Sequence, residues 1–519
     1  MEVDQQKWAE EISLLQKVFR YHQFRLVFAE YRLPQILEKL ETELQEKFPE
    51  RTVTSFPVDG LTYGQISKAL DNFTDEIIII PDFDYILKHD HLRVPFNQSR
   101  DRVGQHEYAL ICCIHTDIFH KLPRLLADWW SVRDLILDLQ SPSPPPQGLY
   151  IHIPFCRKAC HYCDFHFSTV LKYKEEVLRA MLSELHLRKR ELPGRSLRSI
   201  YFGGGTPSLL STDEIKRFLE KAAQYWSWDA EIEITLEANP DDLSAGYLRA
   251  LRRETPVNRL SIGVQSFWEE DLRYMGRIHS AEQALNAIRE ARHAGFERLS
   301  IDLIFGAPTT GNEQWLANLN RAAELQIPHL SCYALTVEDK TALGYRVRKG
   351  ITPLPPESKA AEQFEMLMAF AERQGYEQYE LSNFARPGQR AIHNSLYWQG
   401  APYLGIGPSA HSYNGSCRRW NVAGNGLYLR RLQEGKPTWE EECLTTPQRY
   451  NELILTRLRT IEGIALPDIQ MLGATYKTHF LKNARPLMQQ ELLQQKEGHY
   501  ILTRKGRLLA DFVARELFW

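Results

Sequence analysis

Short apolar runs alternate along this chain with longer stretches in which apolar residues return every three or four positions. The short runs at 149–153, 199–202, 232–236, 259–264, 299–305 and 329–335 have strand length and are bounded by turn-forming residues, so they predict β-strands. The periodic stretches between them, such as 173–190, 212–223, 281–294 and 313–325, predict amphipathic helices. Six strand–helix units in a row imply a parallel sheet, which right-handed crossovers curl into a full or partial barrel. Residues 1–140 show the same alternation on a smaller scale. Strands are predicted there at 24–29, 76–80 and 108–115, with an amphipathic helix carrying Leu33, Ile36, Leu40 and Leu44. This gives an N-terminal α/β domain. The proline cluster at 141–147 blocks both helix and central strand and reads as a linker.

Beyond 386 the pattern changes. Residues 386–415 are rich in Gly, Asn, Pro and aromatics and read as functional loop. The C-terminal stretch reads as helices at 449–459, 467–471 and 480–489, a hairpin through 500–503 and a last helix, the order of a small winged-helix-like domain. The expected division is therefore 1–140, linker 141–147, barrel 148–385, loop region 386–435 and winged-helix-like domain 436–519.

Composition narrows the class. With 519 residues, 43% hydrophobic and 25% charged, the chain matches a globular protein of two to four domains. A net charge of -3 predicts no broad attraction to nucleic acid or to anionic membrane, and peripheral membrane contact stays open. The apolar run at 77–80 is far shorter than a membrane span, and the N-terminus lacks a secretory pattern, so a cytoplasmic location is expected. Eight cysteines over this length form no disulfide framework.

Three of those cysteines carry the main chemistry. Cys156, Cys160 and Cys163 lie in a C-x₃-C-x₂-C loop directly after the first barrel strand. Three thiolates hold three irons of a [4Fe–4S] cube and leave the fourth open, whereas electron carriers use four cysteines. Zinc would ask for a second ligand pair downstream, and Cys112, Cys113, Cys332, Cys417 and Cys443 supply none. The spacing resembles the signature of radical SAM enzymes, in which the open iron binds S-adenosylmethionine. A Gly203-Gly204-Gly205-Thr206-Pro207 run follows the second strand, where backbone amides could approach a ligand closely. Later strand ends carry Glu237, Gln265, Arg277 and Asp302. S-adenosylmethionine has a sulfonium, an ammonium and a carboxylate, so its site needs both carboxylates and a guanidinium. Each residue alone reads as a strand-end hydrogen bond. Their recurrence on consecutive units favours one shared site.

Together these motifs resemble the oxygen-independent coproporphyrinogen oxidase family, from about Gly148 to the C-terminus. The resemblance implies a partial (β/α)₆ barrel and contacts to S-adenosylmethionine from Tyr150, Tyr162, Gly204, Gly205, Thr206, Glu237, Gln265, Arg277, Asp302 and Ala334. Two features point to the heme-chaperone branch of that family, HemW. Decarboxylating members carry C-x₃-C-x₂-C-x-C, and here Phe165 stands at the fourth position. The run His393-Asn394-Ser-Leu-Tyr397-Trp398 matches that branch's H-N-x-x-Y-W motif. An imidazole beside Tyr397 and Trp398 offers an axial iron ligand and flat apolar surface for heme. Read without the family, His393 would simply bond a loop, and His411 is a second candidate. The resemblance thus implies a protein that binds a [4Fe–4S] cluster, S-adenosylmethionine and heme and delivers heme to acceptor proteins. The rival expectation is a coproporphyrinogen III dehydrogenase that decarboxylates by radical chemistry, which leaves open whether the chain is an enzyme. Residues 1–147 lie outside the family pattern and contain no G-x-x-x-x-G-K-[ST]. They read as a module for a protein partner, through which the chain would be regulated, or as an inert remnant.

Overall fold

The computed structural model describes residues 5–19, 24–31, 35–119, 121–139 and 146–519, in two compact units, Met1–Pro144 and Pro145–Trp519. Most of the proline-rich segment expected as a linker, and Leu33, lie outside the described residues.

In the first unit five parallel strands form one sheet: β1 (Arg25–Tyr31), β2 (Val53–Ser55), β3 (Ile77–Ile80), β4 (Ala109–His115) and β5 (Leu135–Asp138), in the order β2-β3-β4-β1-β5. Four consecutive isoleucines in β3 are all buried because helices cover both faces. Along β4, Leu110, Cys112 and Ile114 enter one core while Ala109, Ile111 and Cys113 enter the other. Ile36, Leu40 and Leu44 pack into the second of these cores, as their helical spacing requires.

The second unit holds the expected barrel. β6 (Gly148–Ile153), β7 (Ser199–Gly204), β8 (Glu233–Ala238), β9 (Arg259–Gln265), β10 (Arg298–Phe305) and β11 (His329–Ala334) are parallel neighbours in sequence order. Helices such as Lys174–Leu187, Thr212–Ala223, Ala281–His293 and Asn312–Glu324 cover the outside. The sheet stays open. Past β11 it continues antiparallel through β12 (Glu377–Glu380) and β13 (Asn383–Ala385). Past β6 it continues through β14 (Tyr403–Ile406), parallel to β6, and an antiparallel series β15 (His411–Tyr413), β16 (Cys417–Asn421) and β17 (Trp439–Cys443).

This corrects the reading of 386–435 as loop. The segment contains the helix Ile392–Trp398, three strands of the main sheet and the helix Asn425–Gln433. A buried ionic cluster fastens it to the barrel. Arg188 pairs with Glu184 at 3.0 Å and donates to the Gly405 carbonyl at 2.9 Å, while Glu184 accepts from the Gly407 amide and the Tyr428 hydroxyl. Such a pair tolerates burial because its remaining hydrogen-bonding capacity is met. The cysteines also need one amendment: Cys417 and Cys443, opposite each other on β16 and β17, form a disulfide, and the other six are free.

From Thr446 the chain forms helices Thr446–Leu458, Leu466–Gln470 and Ala474–Gln489, a hairpin of Leu493–Lys496 and His499–Leu502, and the helices Arg504–Leu508 and Ala510–Leu517, around a core that includes Tyr450, Ile464, Phe480 and Val513. Among the described residues, no helix is long and apolar enough to cross a membrane.

What positions the site is the alternation along the barrel strands. Leu149 and Ile151, Ile234 and Leu236, Leu299 and Ile301 face outward into the helix-covered core. Their neighbours Tyr150 and His152, Thr235 and Glu237, Ser300 and Asp302 line a cavity of about 500 Å³. Closed α/β barrels usually fill this space with layers of Val, Ile and Leu. Here polar side chains leave it open.

Candidate functional site

The cysteine loop leaves the C-terminal end of β6 and is tied down at both ends. The Cys156 amide donates to the Ser168 carbonyl at 3.0 Å, and the Ser168 amide to the Pro154 carbonyl at 2.9 Å. Between them, the His161 amide donates to the Met275 carbonyl, and its Nδ1 lies 2.9 Å from the Tyr274 carbonyl. Gly276, at φ 72°, leaves room for that ring, because a Cβ there would lie 2.7 Å from it. Cys156, Cys160 and Cys163 are free and half-buried. The Thr206 hydroxyl donates to Cys156 Sγ at 3.3 Å, and Arg277 Nη1 to Cys160 Sγ at 3.4 Å. Burial pushes the thiols of Cys156 and Cys163 up to about 11, their neighbouring thiols add to the rise, and Arg277 opposes it. Among the described residues, no three His, Cys, Asp or Glu side chains gather as a single-ion site. Three free thiols on one loop, two of them accepting hydrogen bonds from side chains, are a donor set that suits an iron–sulfur cluster, whose properties depend on such donors.

Around this loop the structure assembles most of the residues expected to bind S-adenosylmethionine. Arg277 donates to Asn239 Oδ1 at 2.6 Å and to the Gly263 carbonyl at 2.8 Å, and its buried Nε has no partner. A carboxylate would satisfy it. Thr206 accepts from Asn239 at 3.2 Å. Gln265 ends β9 at φ 66°, a left-handed conformation that costs energy for a side chain other than glycine and is found where a site requires it. Gly204 has φ 103°, and a Cβ there would lie 2.4 Å from the His152 ring. Its amide donates to Glu237 Oε2 at 3.0 Å, while the Tyr201 hydroxyl donates to Glu237 Oε1 at 2.7 Å. Burial raises Glu237 to about 7 and Asp302 to about 6, although hydrogen bonds to both oppose the shift. Tyr162 packs beside Leu272, Met275 and Leu335 at the same end of the barrel, and Ala334 closes β11 in register with Phe305. Gly205 fits its tight turn only without a side chain, since a Cβ would approach the Phe155 carbonyl to 2.6 Å.

The residues expected to bind heme are placed differently from the expectation. His393 is not on an open loop. It sits on the helix Ile392–Trp398, is 5% exposed, and reaches the cavity from the opposite end, beside the first residues of the strands. Nδ1 lies 2.8 Å from Ser199 Oγ, and Nε2 is buried without a partner. Burial lowers its pKa to about 3, so the ring is neutral. Tyr397 lines the cavity and stacks on Tyr403 with ring centroids 4.3 Å apart. Trp398 lies outside the cavity wall, under the Arg459 guanidinium. His411 and Phe165 line the cavity too, and Phe165 is 68% exposed. Glu237, Asp302 and Tyr150 thus share one chamber with His393.

Four residues that the sequence did not single out hold this arrangement. Glu233 and Arg259, both buried, pair at 2.8 Å at the N-terminal ends of β8 and β9. The Glu233 carboxylate accepts from the amides of Ile392 and His393, and Arg259 donates to the carbonyls of Gln389 and Arg390. Ser199 holds the imidazole, and Tyr201 joins it to Glu237. The alternation of polar residues with apolar ones along each strand was the available signal for Ser199 and Tyr201.

The Radical SAM superfamily model matches residues 150–322, and the HemN C-terminal domain model matches residues 444–509. The chain is 35% identical over 371 residues to the heme chaperone HemW of Bacillus subtilis (strain 168), covering 71% of this chain and 98% of that protein. It is 40% identical over 342 residues to the HemW of Escherichia coli (strain K12), covering 64% and 86%. Among solved structures it is similar to coproporphyrinogen III oxidase (HemN) from Escherichia coli, with a TM-score of 0.63 and 28% identity over 72% of this chain and 90% of that one.

Proposed function

The chain belongs to the radical SAM superfamily, on the HemW branch of the HemN family, and from this we infer that it is a heme chaperone binding a [4Fe–4S] cluster, S-adenosylmethionine and heme. In our assignment Cys156, Cys160 and Cys163 hold the cluster. Glu237 and Asp302 face the cationic parts of S-adenosylmethionine, and Arg277 meets its carboxylate, with Tyr150, Tyr162, Gly204, Gly205, Thr206, Gln265 and Ala334 shaping the pocket. His393 ligates heme, flanked by Tyr397, whereas Trp398, expected beside it, lies outside the cavity and is not assigned a heme contact. When bound, the cluster supplies electrons and an open iron position. The observation that carries the heme assignment is that His393 lines the cavity and that its buried Nε2 has no hydrogen-bond partner. An imidazole whose Nδ1 is held by Ser199 has its ring orientation fixed and its other nitrogen free for a metal.

Phe165 at the position of a fourth cysteine favours the chaperone over a coproporphyrinogen dehydrogenase. We place the protein in the cytoplasm, with heme-acceptor proteins as partners. We assign residues 1–140 to recognition of a further protein, in keeping with a sheet buried on both faces and a sequence without a phosphate-binding loop. The test is anaerobic heme titration of cluster-reconstituted protein, with His393→Ala and His411→Ala variants checked for folding. Loss of the Soret band change in His393→Ala alone is expected. Parent-like heme binding by both variants would remove the site, and formation of protoporphyrinogen IX from coproporphyrinogen III would favour the dehydrogenase.

A further inference from the structure

Cys417 and Cys443 are joined by a disulfide that lies outside the cysteine loop and the chamber. They are the first residue of β16 and the last of β17, directly opposite each other at one end of the ladder. Cys443 is exposed and Cys417 half-buried. The strands have other ties. The ladder continues from Arg418 to Asn421, Arg419 pairs with Glu441, and the Leu444 amide donates to the Ser416 carbonyl at 3.0 Å. The residue after Cys443 begins the segment that matches the HemN C-terminal domain. The hydrophobic core of that domain is its own, with Leu381 packed against it from the barrel side. Its attachments to the barrel include the Arg418–Glu452 and Glu380–Arg459 ion pairs and a bond from Gln448 Nε2 to Glu442 Oε1 at 2.9 Å. The domain also lies on the helix that carries His393. Arg457 donates to the Gln399 carbonyl at 3.2 Å, and the Arg459 guanidinium stands 5.0 Å over the Trp398 ring.

We propose that the Cys417–Cys443 disulfide is a reversible redox latch at the root of the C-terminal domain. Closed, it fixes where the domain leaves the sheet and so steadies the His393 helix beneath it; opened by a thiol reductant, it lets that attachment loosen. The inference rests on the cluster reading for its chemical setting. An iron–sulfur protein whose Cys156, Cys160 and Cys163 must stay free of disulfides works among soluble thiols, and an exposed disulfide exchanges with them. The reaction consumes two thiols of the glutathione class. One thiolate attacks the exposed Cys443 sulfur, the S–S bond to Cys417 breaks, and the departing Cys417 sulfur takes a proton. The second thiol attacks the mixed disulfide, which frees Cys443 as a thiol and leaves the two reductant molecules joined. Two electrons and two protons pass to the protein, and the oxidised reductant reverses the step. Because the rest of the ladder stays paired, opening requires no unfolding. What changes is the exit: without the bond the terminal pair of the ladder can part, and the domain gains play at its root. Domains held by polar contacts move relative to each other unless something fixes them.

The experiment places full-length, cluster-reconstituted protein in reduced or oxidised glutathione without denaturant, then alkylates it and measures the masses of the peptides that contain Cys417 and Cys443. Reduced glutathione should convert both to alkylated thiols, and oxidised glutathione should restore the bond. Hydrogen exchange at the amides of 392–398 and 446–458 should be about 5-fold faster or more in the reduced form, the lower end of ordinary coupling between sites. Exchange in β7, β8 and β9 should not change. A protein carrying both Cys417→Ser and Cys443→Ser should exchange at the reduced rate in either buffer. A bond that opens only after denaturant is added is purely structural and overturns the proposal. Equal exchange in the two states overturns it too, as does failure of the bond to form in oxidised glutathione. Iron and sulfide content of the same samples tests the cluster reading separately, since Cys417 and Cys443 are not among its assigned ligands.

Discussion

Glu233 holds His393 in place through the backbone: one carboxylate accepts the amides of Ile392 and His393 at 3.0 and 2.9 Å. These amides open a helix and have no acceptor within it. Arg259 balances the charge at 2.8 Å and ties down the carbonyls of Gln389 and Arg390 just before the helix. The first residues of two barrel strands therefore decide where a residue far along the chain sits.

Removing half of this pair leaves the other charge buried and unpaired. Arg259→Ala should cost about 3–5 kcal/mol of stability, the usual cost of breaking a buried pair. Urea unfolding would measure it, and a loss below about 1 kcal/mol would show that the pair does not hold the helix.

Cys160→Ala should abolish the visible absorbance of the reconstituted cluster. Thr206→Val should keep the cluster and make its reduction potential more negative, because the hydroxyl on Cys156 Sγ favours the more negatively charged, reduced state. Full iron and sulfide content in Cys160→Ala would refute the ligand assignment, and an unchanged midpoint in Thr206→Val would refute the role of its hydroxyl.

Affinity for S-adenosylmethionine should depend on pH through Glu237. Its pKa near 7 leaves the carboxyl largely protonated below neutrality, whereas an ammonium partner needs the charged form. Below pH 7 binding must release a proton, so affinity should fall up to about tenfold for each unit of acidification and level off above pH 7. Glu237→Gln should flatten the profile between pH 7 and 6, leave the fall below about 6 that Asp302 contributes, and bind more weakly, by about 2–5 kcal/mol. A steep profile between pH 7 and 6 surviving in that variant would assign the titration there to another group.

Heme binding should be nearly independent of His393 protonation from pH 8 to about 5, because burial lowers that ring to about 3. Protons compete with iron only once the pH approaches that value. A loss of heme centred near 6.5, the ordinary histidine value, would point to an exposed ligand instead.

The pattern of apolar and polar positions was sufficient for the barrel. Local spacing located all six strands, and the helix at Thr212–Ala223 matches its expected span. The cysteine loop, the glycine run and the acidic strand ends were also legible, because each motif lies within a few residues of a strand end and needs no partner from elsewhere. Where the reading failed, the missing information was long-range. β14 is a four-residue strand whose identity depends on pairing with β6, so from sequence it looked like loop. From sequence His393 reads as part of a loop for the same reason. Its glycine-rich, aromatic surroundings suggest an open segment, and nothing local reveals that Glu233, Arg259 and Ser199 bury it.

By itself, then, the sequence determined the elements and the chemical kinds of ligand, since periodicity, turn residues and ligand spacing act over a few residues. Only the tertiary structure decided that the thiols and His393 belong to opposite ends of one barrel, with Tyr201 and Glu237 between them. Curling the parallel sheet turns one face of every strand inward, and contacts of that kind depend on which strands become neighbours, which local residue order does not encode.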